Sequence, residues 1–273
     1  MKSSVKIIAI LTLLGVATGF YFLNSTGKQV IDRYIIGVVI PPPATPIEPE
    51  KIIYVLADGT GSTKSPHNIP QVTIDWIEKV LDTMYVTSGG KFYISHVDND
   101  SRNNEVLYIS VPSQVLVPLK PERENGEISF EYSKRLRDWE NSLDAVKKDS
   151  DKTAIQFKKA KVAFLADCSE LLNNKVYVKS KNNLSTDIIG ILNAAFITLQ
   201  NNQNNEGKKY VVGFSDFIQA APNINIKLNS SFEGVQIIAV NPVQNSSKKM
   251  VTDKLIQLEH PNRVIETIFT PIK

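Results

Sequence analysis

Short apolar segments that alternate with helical patterns constrain the fold of this chain more than any other feature. Residues 52–57 (IIYVLA), 209–214 (KYVVGF) and 235–240 (VQIIAV) are almost continuously apolar and rich in β-branched side chains. Runs of this length and composition are typical of strands that are buried on both faces. Buried strands separated by helices favour a mostly parallel sheet. The sequence therefore predicts an α/β fold.

The remaining segments extend this pattern to six strands. Residues 91–97 and 106–111 predict a hairpin, because a polar turn separates them. Apolar residues at helical spacing predict helices over 69–85, 187–199 and 247–258, and residues 264–269 predict a last strand. We therefore expect a doubly wound, mostly parallel six-stranded sheet with helices on both faces.

Residues 129–172 predict a long helical insertion, because they contain neither glycine nor proline. Apolar residues recur there at spacings of four and three, with a polar interruption at 147–152. Either a helical hairpin that turns near 149–151 or a bent helix that projects from the domain fits this pattern. We expect a packed pair of helices in preference to a protruding coiled coil. Cys168 lies on an apolar helical face, where a buried and unreactive thiol is expected.

The first fifty residues predict a membrane attachment followed by a spacer. Residues 7–23 are uncharged and mostly apolar, and their length is at the short end of what spans a bilayer. A signal peptide is the alternative, but the residues that follow Ala17 are too bulky for a good cleavage site. Five prolines between 41 and 49 predict a stiff linker. The expected organisation is an anchor or signal segment over 1–24, a linker over 25–50, and one domain over 51–273 that contains the insertion 129–172.

The placement of lysine and arginine gives an orientation to this segment. Lys2, Lys6 and the amino terminus precede the apolar run, whereas Lys28 and Arg33 follow it, which is a weak bias for a cytoplasmic amino terminus. We expect a single-pass membrane protein with its main domain outside the cytoplasm. If the amino-terminal segment is cleaved, a secreted protein is expected instead.

Charge and cysteine content exclude several functions. The formal net charge is +3, and no cluster of lysine and arginine is interleaved with aromatic residues, so nucleic-acid binding is not expected. A single cysteine excludes an internal disulfide framework and any CxxC metal or redox motif.

Polar side chains follow the predicted strands where an α/β sheet binds its ligands. Asp58, Thr60 and Ser62 come directly after the first strand, in the sequence DGTGS. Thr186 opens a later helix, and Asp216 follows the strand 209–214. Ligands of open α/β sheets bind at the carboxyl ends of strands where the strand order reverses. Carboxylate and hydroxyl oxygens in such a place suit Mg²⁺, Mn²⁺ or Ca²⁺.

This ordered set resembles the metal-ion-dependent adhesion site of von Willebrand factor type A (vWA) domains. The family has Asp-x-Ser-x-Ser after its first strand, and Asp58, Thr60 and Ser62 match that motif with threonine in the middle position. Thr186 matches the threonine that opens a later helix, and Asp216 matches the aspartate that follows a central strand. The resemblance covers residues 51–273 apart from the insertion 129–172.

The third motif departs from the family pattern. The family commonly has Thr-Asp-Gly there, whereas Ser215 precedes Asp216 and Phe217 follows it in this chain. A phenylalanine in the place of glycine is expected to change the shape of the loop, and this is the weakest of the matches.

The resemblance implies a binding module and not an enzyme. Asp58, Thr60, Ser62, Thr186 and Asp216 would hold a divalent cation, with Mg²⁺ expected before Mn²⁺ or Ca²⁺. Such a cation is incompletely neutralised and keeps an open position for an anionic oxygen. In the family, that oxygen comes from an acidic side chain of a partner protein.

Two other functions remain open at the level of sequence. A metal-dependent phosphohydrolase would use Asp58 as its nucleophile, but Thr60 occupies the place of the second carboxylate that this mechanism needs. A metal-free α/β scaffold would contact its partners through the inserted helices. The histidines His67, His96 and His260 stand at no recognisable spacing from a serine or cysteine nucleophile.

Overall fold

The structure is a computed structural model that describes residues 49–58, 69–98, 100–115, 119–173, 186–201, 207–218, 232–240 and 255–270. These residues all belong to one compact unit, which extends from Glu48 to Lys273.

A mixed six-stranded sheet forms the centre of this α/β unit. The strands are β1 (Lys51–Asp58), β2 (Gly90–Val97), β3 (Leu107–Val111), β4 (Lys208–Phe214), β5 (Val235–Val240) and β6 (Ile256–Leu258). Their order across the sheet is β3-β2-β1-β4-β5-β6. Only the pair β2–β3 is antiparallel, and the other four neighbouring pairs are parallel. The strand order reverses between β1 and β4, so a crevice is expected at their carboxyl ends.

Within the described part of the chain, four α-helices cover the two faces of the sheet. They are α1 (Ile74–Val86), α2 (Ser129–Asn173), α3 (Ile188–Gln200) and α4 (Pro261–Phe269). Alternate residues of β1 divide between two buried clusters, since successive side chains of a strand point to opposite faces. One cluster contains side chains of α1, α2 and α4, and the other contains side chains of α3. This two-sided burial explains why the central strands are almost continuously apolar.

The prediction of strands was correct for the first five. The segments 52–57, 91–97, 209–214 and 235–240 all lie in strands, the segment 106–111 does so from Leu107 onward, and β2 and β3 form the expected hairpin. The helix expected over 69–85 begins only at Ile74, where the Thr73 hydroxyl accepts a hydrogen bond from the backbone N–H of Trp76. The preceding Ile69 and Val72 are nevertheless buried.

The prediction was wrong at the carboxyl terminus, where helix and strand are exchanged. Residues 264–269, expected as a strand, belong to α4, which begins at Pro261 and buries Val264, Ile268 and Phe269. Proline favours the first position of a helix, and burial at positions i and i+4 is helical periodicity. Residues 256–258 of the expected helix form the edge strand β6, and residues 247–254 lie outside the described part of the chain.

The insertion is one continuous helix and not the packed helix pair that the sequence favoured. α2 has 45 residues and is therefore about 68 Å long. No turn occurs near 149–151, since helical structure continues through these residues. Its buried residues are Phe157, Phe164, Cys168 and Leu171, all in the carboxyl-terminal part. The burial predicted for Cys168 is thus confirmed. The polar residues 147–152 are part of the helix and lie in a stretch of it that is mostly exposed to solvent.

Two kinds of contact attach α2 to α1. The ring of Phe157 stacks on Tyr85 with a centroid separation of 4.7 Å. The Lys161 ammonium donates to Glu78 at 2.9 Å and to Asp82 at 2.8 Å. Burial alone would lower the pKa of Lys161, but the two carboxylates outweigh it and hold that pKa above its ordinary value.

The expected membrane segment, residues 7–23, lies outside the described residues, as does the proline-rich linker through residue 48. Within the described ranges, no helix is both long and apolar enough to cross a bilayer.

Candidate functional site

Asp58 and Asp216 lie at the carboxyl ends of the two strands between which the sheet reverses its order. Asp58 is the last residue of β1, and Asp216 follows the end of β4 by two residues. Both are buried, with exposed fractions of 1% and 8%. A carboxylate is costly to bury unless polar groups surround it, so two of them here indicate a built polar site.

Ser215 connects the two strand ends directly. Its hydroxyl donates a hydrogen bond of 2.6 Å to Oδ2 of Asp58 and accepts one of 3.2 Å from the backbone N–H of Phe217. Ser215 is itself fully buried. A hydroxyl that donates to a carboxylate makes a short, charge-assisted bond, which orients the Asp58 carboxylate.

The backbone adopts an unusual conformation directly after Asp216. Oδ1 of Asp216 accepts a hydrogen bond of 3.0 Å from the backbone N–H of Ile218. Phe217, between them, has a φ of 57°, and it is the one non-glycine residue with positive φ within the described ranges. The left-handed conformation is unfavourable for a residue with a Cβ. Glycine, in contrast, adopts it freely.

Thr186 lies at the start of α3, and its neighbour Asp187 attaches this helix end to β2. The backbone N–H of Asp187 donates a hydrogen bond of 2.7 Å to the carbonyl of Asp98. Asp98 follows Val97, which is the partner of Asp58 across the β1–β2 ladder. Thr186, with an exposed fraction of 3%, is therefore held beside the same edge of the sheet as Asp58.

The carboxylate of Asp187 has two further backbone partners. Oδ1 accepts from the N–H of Gly190 at 2.9 Å, which caps α3, and Oδ2 accepts from the N–H of Ser101 at 3.2 Å. Gly190 is required in this turn, because a Cβ there would collide with the Asp187 carboxylate. A fully buried carboxylate that accepts from backbone amides on two elements fixes one element against the other.

His96, in β2, and Asp98, directly after this strand, form an ionisable pair near this edge. Nε2 of His96 lies 3.5 Å from Oδ2 of Asp98, and neither ring nitrogen of His96 makes a hydrogen bond within the described ranges. Burial would raise the pKa of the Asp98 carboxyl. The adjacent His96 imidazole and the backbone N–H of Asp100 outweigh burial and hold that pKa below its ordinary value.

Three of the five predicted metal ligands are thus found at one edge of the sheet: Asp58, Thr186 and Asp216. Thr60 and Ser62 lie outside the described residues. The donor atoms of the three are hard oxygens, which suit Mg²⁺ and Ca²⁺. Within the described ranges, no three residues among His, Cys, Asp and Glu are grouped as a metal site, and the proposed set contains only two carboxylates.

Sequence reasoning did not assign a role to Ser215, Asp187 or Asp98. From the sequence, Ser215 is the residue that precedes Asp216 in a polar loop, and Asp187 is the start of a helix. The signal for the capping role of Asp187 is present in the sequence, because aspartate directly before a helical run is a preferred N-cap residue. Its bond to Ser101 joins residues 86 positions apart and has no local signature.

A scan against models of known protein families and a search of curated protein sequences both find no match to this chain.

Proposed function

We propose that this protein is a vWA-like binding module that uses a divalent cation to hold an acidic side chain of a partner protein. The ligands are Asp58, Thr60, Ser62, Thr186 and Asp216, and Mg²⁺ is the preferred ion. In this proposal the sheet is the doubly wound, Rossmann-like sheet of that family.

One observation supports the proposal above the others: the hydrogen bond between Ser215 and Asp58, which joins the ends of β1 and β4. This bond joins Asp58, from the first motif, to the residue before Asp216, from the third motif, and so supports a shared site at the reversal of strand order. Asp187 brings the second motif, Thr186, to the neighbouring strand β2 through Asp98. Asp58, Thr186 and Asp216, one residue from each motif, therefore lie near the carboxyl ends of neighbouring strands, which supports a common site.

The chemistry of the residues favours binding over hydrolysis. A cation held mainly by hydroxyls and two carboxylates attracts a further anionic oxygen, because its charge is incompletely neutralised. Hydrolysis with Asp58 as nucleophile needs an acid–base group close to it. One polar group bonded to Asp58 is the Ser215 hydroxyl, which is a hydrogen-bond donor there and not a base.

Titration calorimetry of the full chain with Mg²⁺ and Mn²⁺ tests the proposal. We expect saturable binding to the wild type and none to Asp58→Ala. Asp100→Ala is the matched control, since Asp100 is an exposed aspartate of the neighbouring turn. Equal heats for the wild type and Asp58→Ala would overturn the metal site.

A pull-down from membrane extracts tests the partner. We expect a protein that is retained by the wild type, lost with a chelator, and lost with Asp58→Ala. Retention of the same protein in all three conditions would show that the metal site is not the binding surface.

The membrane anchor over residues 7–23 belongs to this proposal, and alkaline extraction distinguishes an integral anchor from a cleaved signal.

The long helix α2 favours a second candidate, a scaffold that binds its partner through this helix. Its buried residues all lie from Phe157 onward, whereas Phe130, Ile155 and Val162 have exposed fractions of 77%, 70% and 61%. Exposed apolar side chains on a projecting helix are a feature of interaction surfaces. Replacing Phe130 and Ile155 by serine should abolish retention of the partner if this helix is the surface, and should leave it unchanged if the metal site is.

A further inference from the structure

The ring of Phe217 packs against Gly213, close to the candidate site. Gly213 lies in β4, and Phe217 is fully buried four residues later. A Cβ on Gly213 would lie 2.5 Å from Cε2 of the Phe217 ring, a distance that real side chains do not tolerate. The glycine therefore leaves the space that the ring fills.

This ring occupies its place at a conformational cost. Phe217 adopts a φ of 57°, which is disfavoured for a residue with a Cβ. Strained conformations persist where the surrounding structure determines them, and they concentrate at functional sites. Burial of an aromatic ring is the compensating interaction here, because it removes a large apolar surface from water.

The strained residue lies between the two hydrogen bonds that shape the site loop. The N–H of Phe217 donates to the hydroxyl of Ser215, which in turn donates to Asp58. The next N–H, of Ile218, donates to Asp216. The ring also belongs to the same buried cluster as Ile188 of α3, the helix that follows Thr186.

We propose that Phe217, seated against Gly213, is a positioning residue that fixes the carboxylates of Asp58 and Asp216 for metal binding. Phe217 offers no ligand atom of its own. It acts by holding the loop in a left-handed conformation, which its buried ring stabilises. The statement about metal binding rests on the proposed function above, whereas the pairing of Phe217 with Gly213 is independent of it.

A rescue experiment on the full chain tests the inference, with Mg²⁺ affinity measured by calorimetry. Gly213→Ala should displace the ring and weaken Mg²⁺ binding by about tenfold or more, since small misplacements of ligands are costly. Gly213→Ala combined with Phe217→Gly should recover at least half of that loss on a logarithmic scale, because the methyl then has room and glycine accepts the positive φ. Phe217→Leu alone should weaken binding, since it keeps the strain and loses part of the contact.

Gly234→Ala is the matched control, because an added Cβ there meets no atom within 4 Å although φ is also positive, at 75°. Gly234 precedes β5, at the edge of the sheet opposite the site. This control should lose stability without losing Mg²⁺ affinity. Unchanged affinity in Gly213→Ala or in Phe217→Leu would overturn the inference, and so would a double variant no better than Gly213→Ala.

A measurement without metal separates this inference from the proposed function. Hydrogen exchange of the Ile218 amide reports the bond to Asp216, and it should accelerate by about tenfold or more in Gly213→Ala but not in Gly234→Ala. If the wild type fails to bind Mg²⁺ while this acceleration occurs, the proposed function is wrong and the positioning role of Phe217 stands. If the exchange rate is unchanged, the positioning role is wrong whatever the metal does.

Discussion

The hydroxyl of Ser215 lies 2.6 Å from Oδ2 of Asp58 and donates to it between the ends of two neighbouring strands. Ser215→Ala removes this donor and also the acceptor of the Phe217 N–H. We expect it to destabilise the fold by about 1–3 kcal/mol, because buried polar groups lose their partner. Mg²⁺ affinity should fall as well, since the carboxylate is no longer oriented. Urea unfolding and calorimetry measure the two effects.

Ser215→Thr is the control for that prediction. It keeps the hydroxyl and should retain most of the metal affinity. A Ser215→Ala protein with wild-type affinity would show that the hydrogen bond does not position Asp58.

Asp187 should be more important for stability than an ordinary helix cap. In Asp187→Asn the side-chain oxygen can still accept one of the two hydrogen bonds. The NH2 group is a donor, so it would face the N–H of either Gly190 or Ser101 without forming a bond. We expect a loss of about 2–3 kcal/mol in the free energy of unfolding, since hydrogen bonds to charged groups are strong and a buried donor is left unpaired.

Thr73→Ala provides the comparison, because Thr73 caps α1 with a single bond of 3.2 Å. This substitution should cost only about 1 kcal/mol. If both variants unfold at the same urea concentration, the carboxylate of Asp187 makes no contribution beyond capping.

Asp98 should make stability depend on pH in the acidic range. Its pKa is lower in the folded state than in the unfolded chain, so the unfolded state binds the proton more readily. The stabilisation is therefore complete above the ordinary carboxyl pKa of about 4, and is lost as the pH falls through the lowered value. The difference in unfolding free energy between the wild type and Asp98→Asn should shrink between pH 6 and pH 3. A constant difference over this range would contradict the prediction.

The attachment of α2 to α1 should depend on aromatic packing more than on its ion pairs. Phe157 has an exposed fraction of 6% and stacks on Tyr85, so Phe157→Ala should cost about 3–5 kcal/mol. Lys161→Met removes contacts to two half-exposed carboxylates and should cost at most about 1 kcal/mol. Thermal unfolding of both variants at low and high salt measures the two losses of stability. Only the loss caused by Lys161→Met should depend on salt.

Cys168 should be unreactive in the folded protein. Burial, together with the nearby Asp167, raises its pKa to about 12, so almost no thiolate exists at pH 8. A disulfide reagent should label the chain only in denaturant, whereas the added thiol of Ser142→Cys on the exposed part of α2 should react at once. Rapid labelling of the native wild type would show that this end of α2 opens readily.

Apolar patterning predicted the central sheet because a strand buried on both faces has a continuous run of apolar residues in the sequence. The runs of β1, β4 and β5 are continuous in the sequence for that reason. The same rule failed for residues 264–269, since a short apolar run fits both a buried strand and one face of a helix. It failed again for α2, because a helix partly surrounded by water tolerates the polar residues 147–152 without a turn.

Local composition and spacing were enough to predict the α/β class, five of the six strands and the polar residues at the strand ends. The folded chain was needed to learn which strands are neighbours, that Ser215 bonds to Asp58 across 157 positions, and that Phe217 packs against Gly213. Such contacts depend on the packing of the whole sheet, which no single segment specifies.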